Sequence, residues 1–203
     1  GKPVNEPGPG ESRSQVPAGA VRIVVNVEIR RQHPISSDYW KPMQSAILPQ
    51  GDEATTPDTM PAMNDSPKRH VPVAIIGAGF GGIGLAARLV EQGLNDFLIF
   101  DRAAGVGGTW WANRYPGCAC DVPSHLYSLS FAPNPDWTRR FAPRDEIQNY
   151  LERCVTRFGL ERRLVLGTGI DRAAWDEQAG RWRLTDDHGE TWSADVLVSA
   201  IGG

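Results

Sequence analysis

No stretch of the 203 residues comes near the ~20 consecutive apolar positions that a membrane-spanning helix needs, so no membrane partner is expected. Lys and Arg never gather beyond the short Lys68-Arg69-His70, and a formal charge of -3 provides no electrostatic footprint for nucleic acid. Cysteine is scarce. Three thiols, an odd number, do not make a disulfide framework. Cys118 and Cys120 have no further Cys or His at ligand spacing, so a tetrahedral metal site does not close. No secretory signal opens the sequence. What remains is the expectation of a cytoplasmic enzyme.

Glycine and proline, by contrast, are plentiful, at 22 and 16 residues, and unevenly spread. Residues 1–65 are proline-rich with little apolar periodicity and read as a disordered extension. The first residue is Gly, and Met63, just ahead of the first strong strand, is a natural start for the protein proper. Against that reading, Val21, Ile23, Val25, Val27 and Ile29 alternate with mostly polar neighbours, which is a strand pattern.

Residues 66–203 read as one α/β domain. Val73-Ala74-Ile75-Ile76 is a continuous apolar run suited to a parallel strand buried on both faces. Gly77-Ala78-Gly79-Phe80-Gly81-Gly82 follows, then Ile83, Ala86, Ala87 and Val90 at helical spacing. Phe97–Phe100 is a second buried strand, closed by Asp101. The segment 102–134 is predicted to be structured loop. After Pro143, the residues Ile147, Tyr150, Leu151, Cys154, Val155 and Phe158 mark one face of an amphipathic helix. Arg163–Leu166 is predicted as a third parallel strand. Ile170–Trp175, Arg181–Thr185 and Glu190–Trp192 form an antiparallel meander, and Asp195–Ile201 is a last buried strand.

The spacing Gly77-x-Gly79-x-x-Gly82 is the fingerprint of a diphosphate-binding turn. The first glycine permits a tight bend, the second admits a pyrophosphate, and the third lets helix and strand close up. The helix N-terminus adds free N–H groups and a partial positive charge. Asp101, 19 residues beyond Gly82, is placed to accept hydrogen bonds from ribose hydroxyls and would repel a 2′-phosphate. The turn therefore suits FAD or NAD, not NADP. Arg102 reads as a surface charge or a neighbour of adenine.

Gly107-Gly108-Thr109-Trp110-Trp111-Ala112-Asn113-Arg114-Tyr115-Pro116-Gly117, continued by Cys118-Ala119-Cys120-Asp121, has no place in an NAD dehydrogenase. From about Val73 onward the sequence resembles the flavin-dependent Baeyer–Villiger monooxygenases. There a Gly-Gly-x-Trp, an Asn-Arg-Tyr-Pro-Gly and a Cys-Asp follow the first β-α-β unit. The resemblance implies a truncated Rossmann-like FAD-binding domain, a parallel sheet with helices and a β-meander. It also implies an enzyme that uses FAD, NADPH and O2 to turn ketones into esters or lactones. Gly77, Gly79, Phe80, Gly81 and Gly82 would hold the FAD pyrophosphate. Asp101, where Glu is commoner, would bind the adenine ribose. Gly108, Thr109, Trp110 and Tyr127 would line the flavin, and Ile170 would meet adenine through its backbone. Asp121 would be the catalytic-site residue of the set, lying near the isoalloxazine and pairing with an active-site arginine.

Plainer roles stay open for several of these. Trp110, Trp111 and Tyr127 also suit core packing, and Asp121 suits a cap. Ser124 and His125 lack a nucleophile elbow and are not read as hydrolytic. A second glycine turn for NADPH, a Phe-x-Gly-x-x-x-His fingerprint and the partner arginine are not among the 203 residues, so this stretch by itself is expected not to oxidise a ketone. The related N- and S-oxygenases and a non-catalytic FAD module are the alternatives.

Overall fold

The computed structural model describes residues 69–202, together with the backbone of Val21–Val24. The strands are β1 (Val21–Val24), β2 (Arg69–Ile76), β3 (Phe97–Asp101), β4 (Leu164–Leu166), β5 (Ile170–Asp176), β6 (Arg181–Asp186) and β7 (Thr191–Ser199). The helices are α1 (Phe80–Glu91), the single turn α2 (Thr109–Ala112) and α3 (Arg144–Arg157). One sheet runs in the order β4-β3-β2-β7-β6-β5. Its first four strands are parallel, and β7, β6 and β5 are antiparallel.

Strand β7 joins the two halves. β2 runs along one edge of it, from Arg69 beside Trp192 to Ile76 beside Ser199. The other edge is shared in succession: β6 pairs with Thr191–Ala194, and β1 pairs in parallel with Val196–Ser199. The sequence suggested two strands here, Glu190–Trp192 and Asp195–Ile201. They are one nine-residue strand, because Ser193-Ala194 between them contains neither Gly nor Pro and both residues pair on either side with β6 and β2. A second difference concerns residues 1–65. The expected disordered extension gives way at Val21–Val24 to a strand, whose alternating apolar pattern suits a sheet position. Val25, Val27 and Ile29 lie outside the described residues. The third parallel strand begins at Leu164, after a 3-10 turn at Glu161–Arg163.

Alternation decides which residue serves which layer. Ile75, Ile99 and Val198 face α1 and α3 and are fully buried with Ile83, Ile147 and Leu151. Their neighbours Ala74, Phe100 and Leu197 face the opposite layer, where they pack with Leu184 and Trp192. Central strands buried on both faces are what the continuous apolar runs demanded. Among the described residues no helix is long and apolar enough to cross a membrane.

The β6–β7 turn closes on a carboxylate. Asp186 is only 4 % exposed. It accepts the indole N–H of Trp192 at 2.9 Å and the amide N–H groups of Glu190 at 2.8 Å and His188 at 3.1 Å. Burial pushes its pKa up, but these donors outweigh burial and hold the carboxyl below its ordinary value. With a depressed folded pKa, its contribution to stability is present above the unfolded carboxylate pKa of roughly 4 and is lost as pH falls through the folded value. Asp186→Asn should therefore cost about 1–3 kcal/mol near neutral pH and flatten the acid limb of stability. Urea unfolding of both forms between about pH 2 and 6 measures this, and coincident acid limbs would assign the pH dependence elsewhere.

Candidate functional site

The bend between β2 and α1 is built almost without side chains. The Gly77 N–H donates to the Phe100 carbonyl at 2.8 Å, and the Ala200 N–H donates to the Ile76 carbonyl at 2.8 Å. Gly77 has φ 108°, and a Cβ there would stand 2.3 Å from the Ala200 carbonyl oxygen. A Cβ on Gly82 would stand 1.8 Å from the Gly77 carbonyl oxygen, so only glycine lets α1 rest on the bend. Gly79 is the N-cap of α1, and no side chain caps the helix. Its first N–H groups are thus left for an anion. Gly108 comes so close from the next loop that its Cβ would lie 3.0 Å from the Gly79 Cα.

Asp101 is tied to this bend. Its Oδ2 accepts the Ala78 N–H at 2.7 Å, and its Oδ1 accepts the Ala103 N–H at 2.8 Å. Each oxygen keeps a further lone pair for a hydroxyl. The peptide that follows, Ala78–Gly79, is held as well, the Ala78 carbonyl accepting the Gly107 N–H at 2.9 Å. The turn after β4 packs here too. The Thr168 N–H donates to the Asp101 carbonyl at 2.9 Å, which brings Ile170 to the same end of the sheet. Arg102 is exposed, 3.9 Å from Asp171, in keeping with a surface charge.

A second group of predicted residues gathers around one phenol. The Tyr127 ring centroid lies 5.0 Å from that of Phe80 and 5.6 Å from that of Trp110. The Trp110 indole N–H donates to the Tyr127 hydroxyl at 3.1 Å. Trp110 is buried, while Thr109 is exposed at the start of α2. Trp111 packs its ring on Gly105 and lies under the Arg114 guanidinium, 4.4 Å from the ring centroid, a packing role. Asp121 is exposed, on a segment pinned to the start of α3 through the Cys120 and Arg144 amides. The buried Ser124 hydroxyl donates to the Arg139 carbonyl at 2.6 Å, leaving nothing for His125 to activate.

Two residues of α3 escaped sequence reasoning. Arg144 donates through Nε to the Trp110 carbonyl at 2.5 Å, and Gln148 donates to the Val106 carbonyl at 2.7 Å. Their signal was a polar pair at i and i+4 beside the apolar face, which a search for hydrophobic spacing passes over.

Residues 75–142 match the family of NAD(P)-binding Rossmann-like domains. Over 135 residues the chain is 53 % identical to a Baeyer–Villiger monooxygenase of Pseudomonas aeruginosa, covering 66 % of this chain and 26 % of that protein. The chain is a homologue of the Baeyer–Villiger monooxygenases. An open crystal structure of cyclohexanone monooxygenase superposes with a TM-score of 0.61 at 41 % identity, covering 66 % of this chain and 27 % of the other. A complex of OTEMO with FAD and NADP gives a TM-score of 0.61 at 31 % identity, covering 68 % and 26 %. The homologous region thus spans about a quarter of the length of these relatives.

The bend makes a direct prediction. Gly82→Ala should lower stability by about 1–3 kcal/mol through overpacking and abolish dinucleotide binding, whereas Ala87→Gly in the same helix should cost stability alone. Denaturant unfolding and ligand titration on both variants separate the two effects, and binding retained by Gly82→Ala would refute the role given to this contact.

Proposed function

We propose that residues 66–203 are the FAD-binding unit of a monooxygenase that uses NADPH and O2 to convert small-molecule ketones to esters or lactones. The observation that supports this best is the glycine-only junction of Gly77, Gly79, Gly82 and Gly108, where added Cβ atoms at Gly77 and Gly82 would collide with backbone. Such a junction fits a diphosphate pressed against main chain. Asp101 beside it fits a ribose with free hydroxyls.

Bound FAD would supply the redox chemistry, and the chain would supply orientation and enclosure. In this reading the amides of Phe80, Gly81 and Gly82 hold the diphosphate, and Gly79 gives it room. Asp101 accepts from the ribose while its backbone bonds keep it aimed. The Ile170 backbone borders adenine. Gly108, Thr109, Trp110 and Tyr127 border the ring system, with the Trp110–Tyr127 hydrogen bond fixing both aromatic planes. Asp121, exposed in the described residues, is open to pairing with an active-site arginine. NADPH is held mainly by other parts of such an enzyme. The reading places the protein in the cytoplasm, with neither nucleic acid nor membrane as partner.

The purified 203-residue chain should take up FAD, giving the flavin absorbance bands, in preference to NAD, and should not consume NADPH in the presence of a cyclic ketone. Uptake of NAD with no flavin colour would favour a dehydrogenase and sink the proposal. Turnover of NADPH would show that the second nucleotide site is not needed.

A further inference from the structure

Gln148 is 4 % exposed in the middle of α3, on a face otherwise given to apolar core. Its Nε2 donates to the Val106 carbonyl at 2.7 Å and to Glu152 Oε1 at 2.8 Å. Two acceptors at that end fix which end of the amide is nitrogen. The Oε1 is buried without a hydrogen-bond partner. It abuts Gly107, where a Cβ would stand 2.2 Å from it.

We propose that Gln148 is a positioning residue for the cofactor, holding the Val106–Gly107 peptide so that the two glycine segments meet in register. The inference rests on the FAD reading above. Val106 C=O is gripped by Gln148, and the next N–H, that of Gly107, grips the Ala78 carbonyl at 2.9 Å. Ala78 N–H in turn reaches Asp101 at 2.7 Å. A continuous run of bonds therefore leads from Glu152 through Gln148 to the two-glycine junction and the ribose acid. One helical turn earlier, Arg144 takes the Trp110 and Cys118 carbonyls through its side chain and its backbone N–H. Residues 144 and 148 lie on one stripe of the helix. Together they hold three carbonyls of the loop that carries Gly108, Thr109 and Trp110.

A role in packing alone would be served as well by an apolar residue of the same length. Gln148→Met keeps the shape and removes the donor. In the full 203-residue chain, amide hydrogen exchange at Gly107, Trp110, Trp111 and Ala112 should quicken about tenfold, the worth of one buried hydrogen bond. Amides of β2 and β7 should stay as in the wild type. FAD should bind roughly tenfold more weakly by the same reckoning, with altered circular dichroism in the flavin bands. Glu152→Gln, which keeps an acceptor, should match the wild type in every readout. Uniformly faster exchange, or exchange and affinity both unchanged, would overturn the proposal. If Gln148→Met does not fold, the exposed Glu152→Ala decides it: faster exchange confined to Gly107–Ala112 supports it, and no change there refutes it. A wild-type chain that takes up no FAD would bring down the functional reading, while the exchange contrast would still report whether Gln148 holds the loop.

Discussion

Everything at the glycine-rich end of the sheet depends on one steric fact: main chain touches main chain where β2 turns into α1. Gly77 lies under the Ala200 carbonyl and Gly82 under the Gly77 carbonyl. No methyl group fits at either point. The contact sets the depth at which α1 sits on the sheet, and hence where its first N–H groups point. It also draws in the end of β7, since the residue crowding Gly77 lies just past that strand. Sheet, helix and turn are thereby locked by packing between backbones, which is stiffer than packing between side chains free to change rotamer.

Around this point the remaining elements act as braces of different kinds. β3 offers a carboxylate, Asp101, whose two oxygens tie the bend to the following loop. α3 offers polar side chains that hold carbonyls of the long loop after Asp101, and Tyr150 extends this further. The Tyr150 hydroxyl accepts the Leu129 N–H and donates to the Ala132 carbonyl. Burial raises the pKa of that phenol, so it stays protonated and able to donate. A loop with little regular structure is thus made definite by satisfying its backbone from outside.

Much of this was legible in the residues themselves. The apolar runs, the glycine spacing and the acid that ends β3 are local signals, and each fell on the element it announced. The helix after Pro143 was equally plain, because six apolar positions at helical spacing leave little choice. Harder to read was anything decided between elements. The union of two predicted strands into β7 follows from pairing on both edges, which no local window contains. Gln148 looks like a surface residue until the Val106 carbonyl is brought against it. Asp101 was legible as the acid closing the second strand, but its bonds to Ala78 and Ala103 depend on how closely the loop folds back. Trp110 and Tyr127, each ambiguous alone, become a pair only once 17 residues of loop have closed on themselves.

Strand β7 has a consequence for how this sequence tolerates length changes. Leu197 and Val198 serve opposite layers, and the strand is paired along both edges. One residue added within it would send each apolar side chain to the wrong layer and break two ladders at once. The exposed tips at 177–180 and 187–189 belong to neither layer, although Asp187 and His188 reach back to the Gly169 N–H and the Gly167 carbonyl. Insertions, tags and new termini suit the 177–180 tip where they spare the Gln178 and Ala179 N–H bonds to the Asp176 carboxylate, and the other tip only outside the residues that close on Asp186.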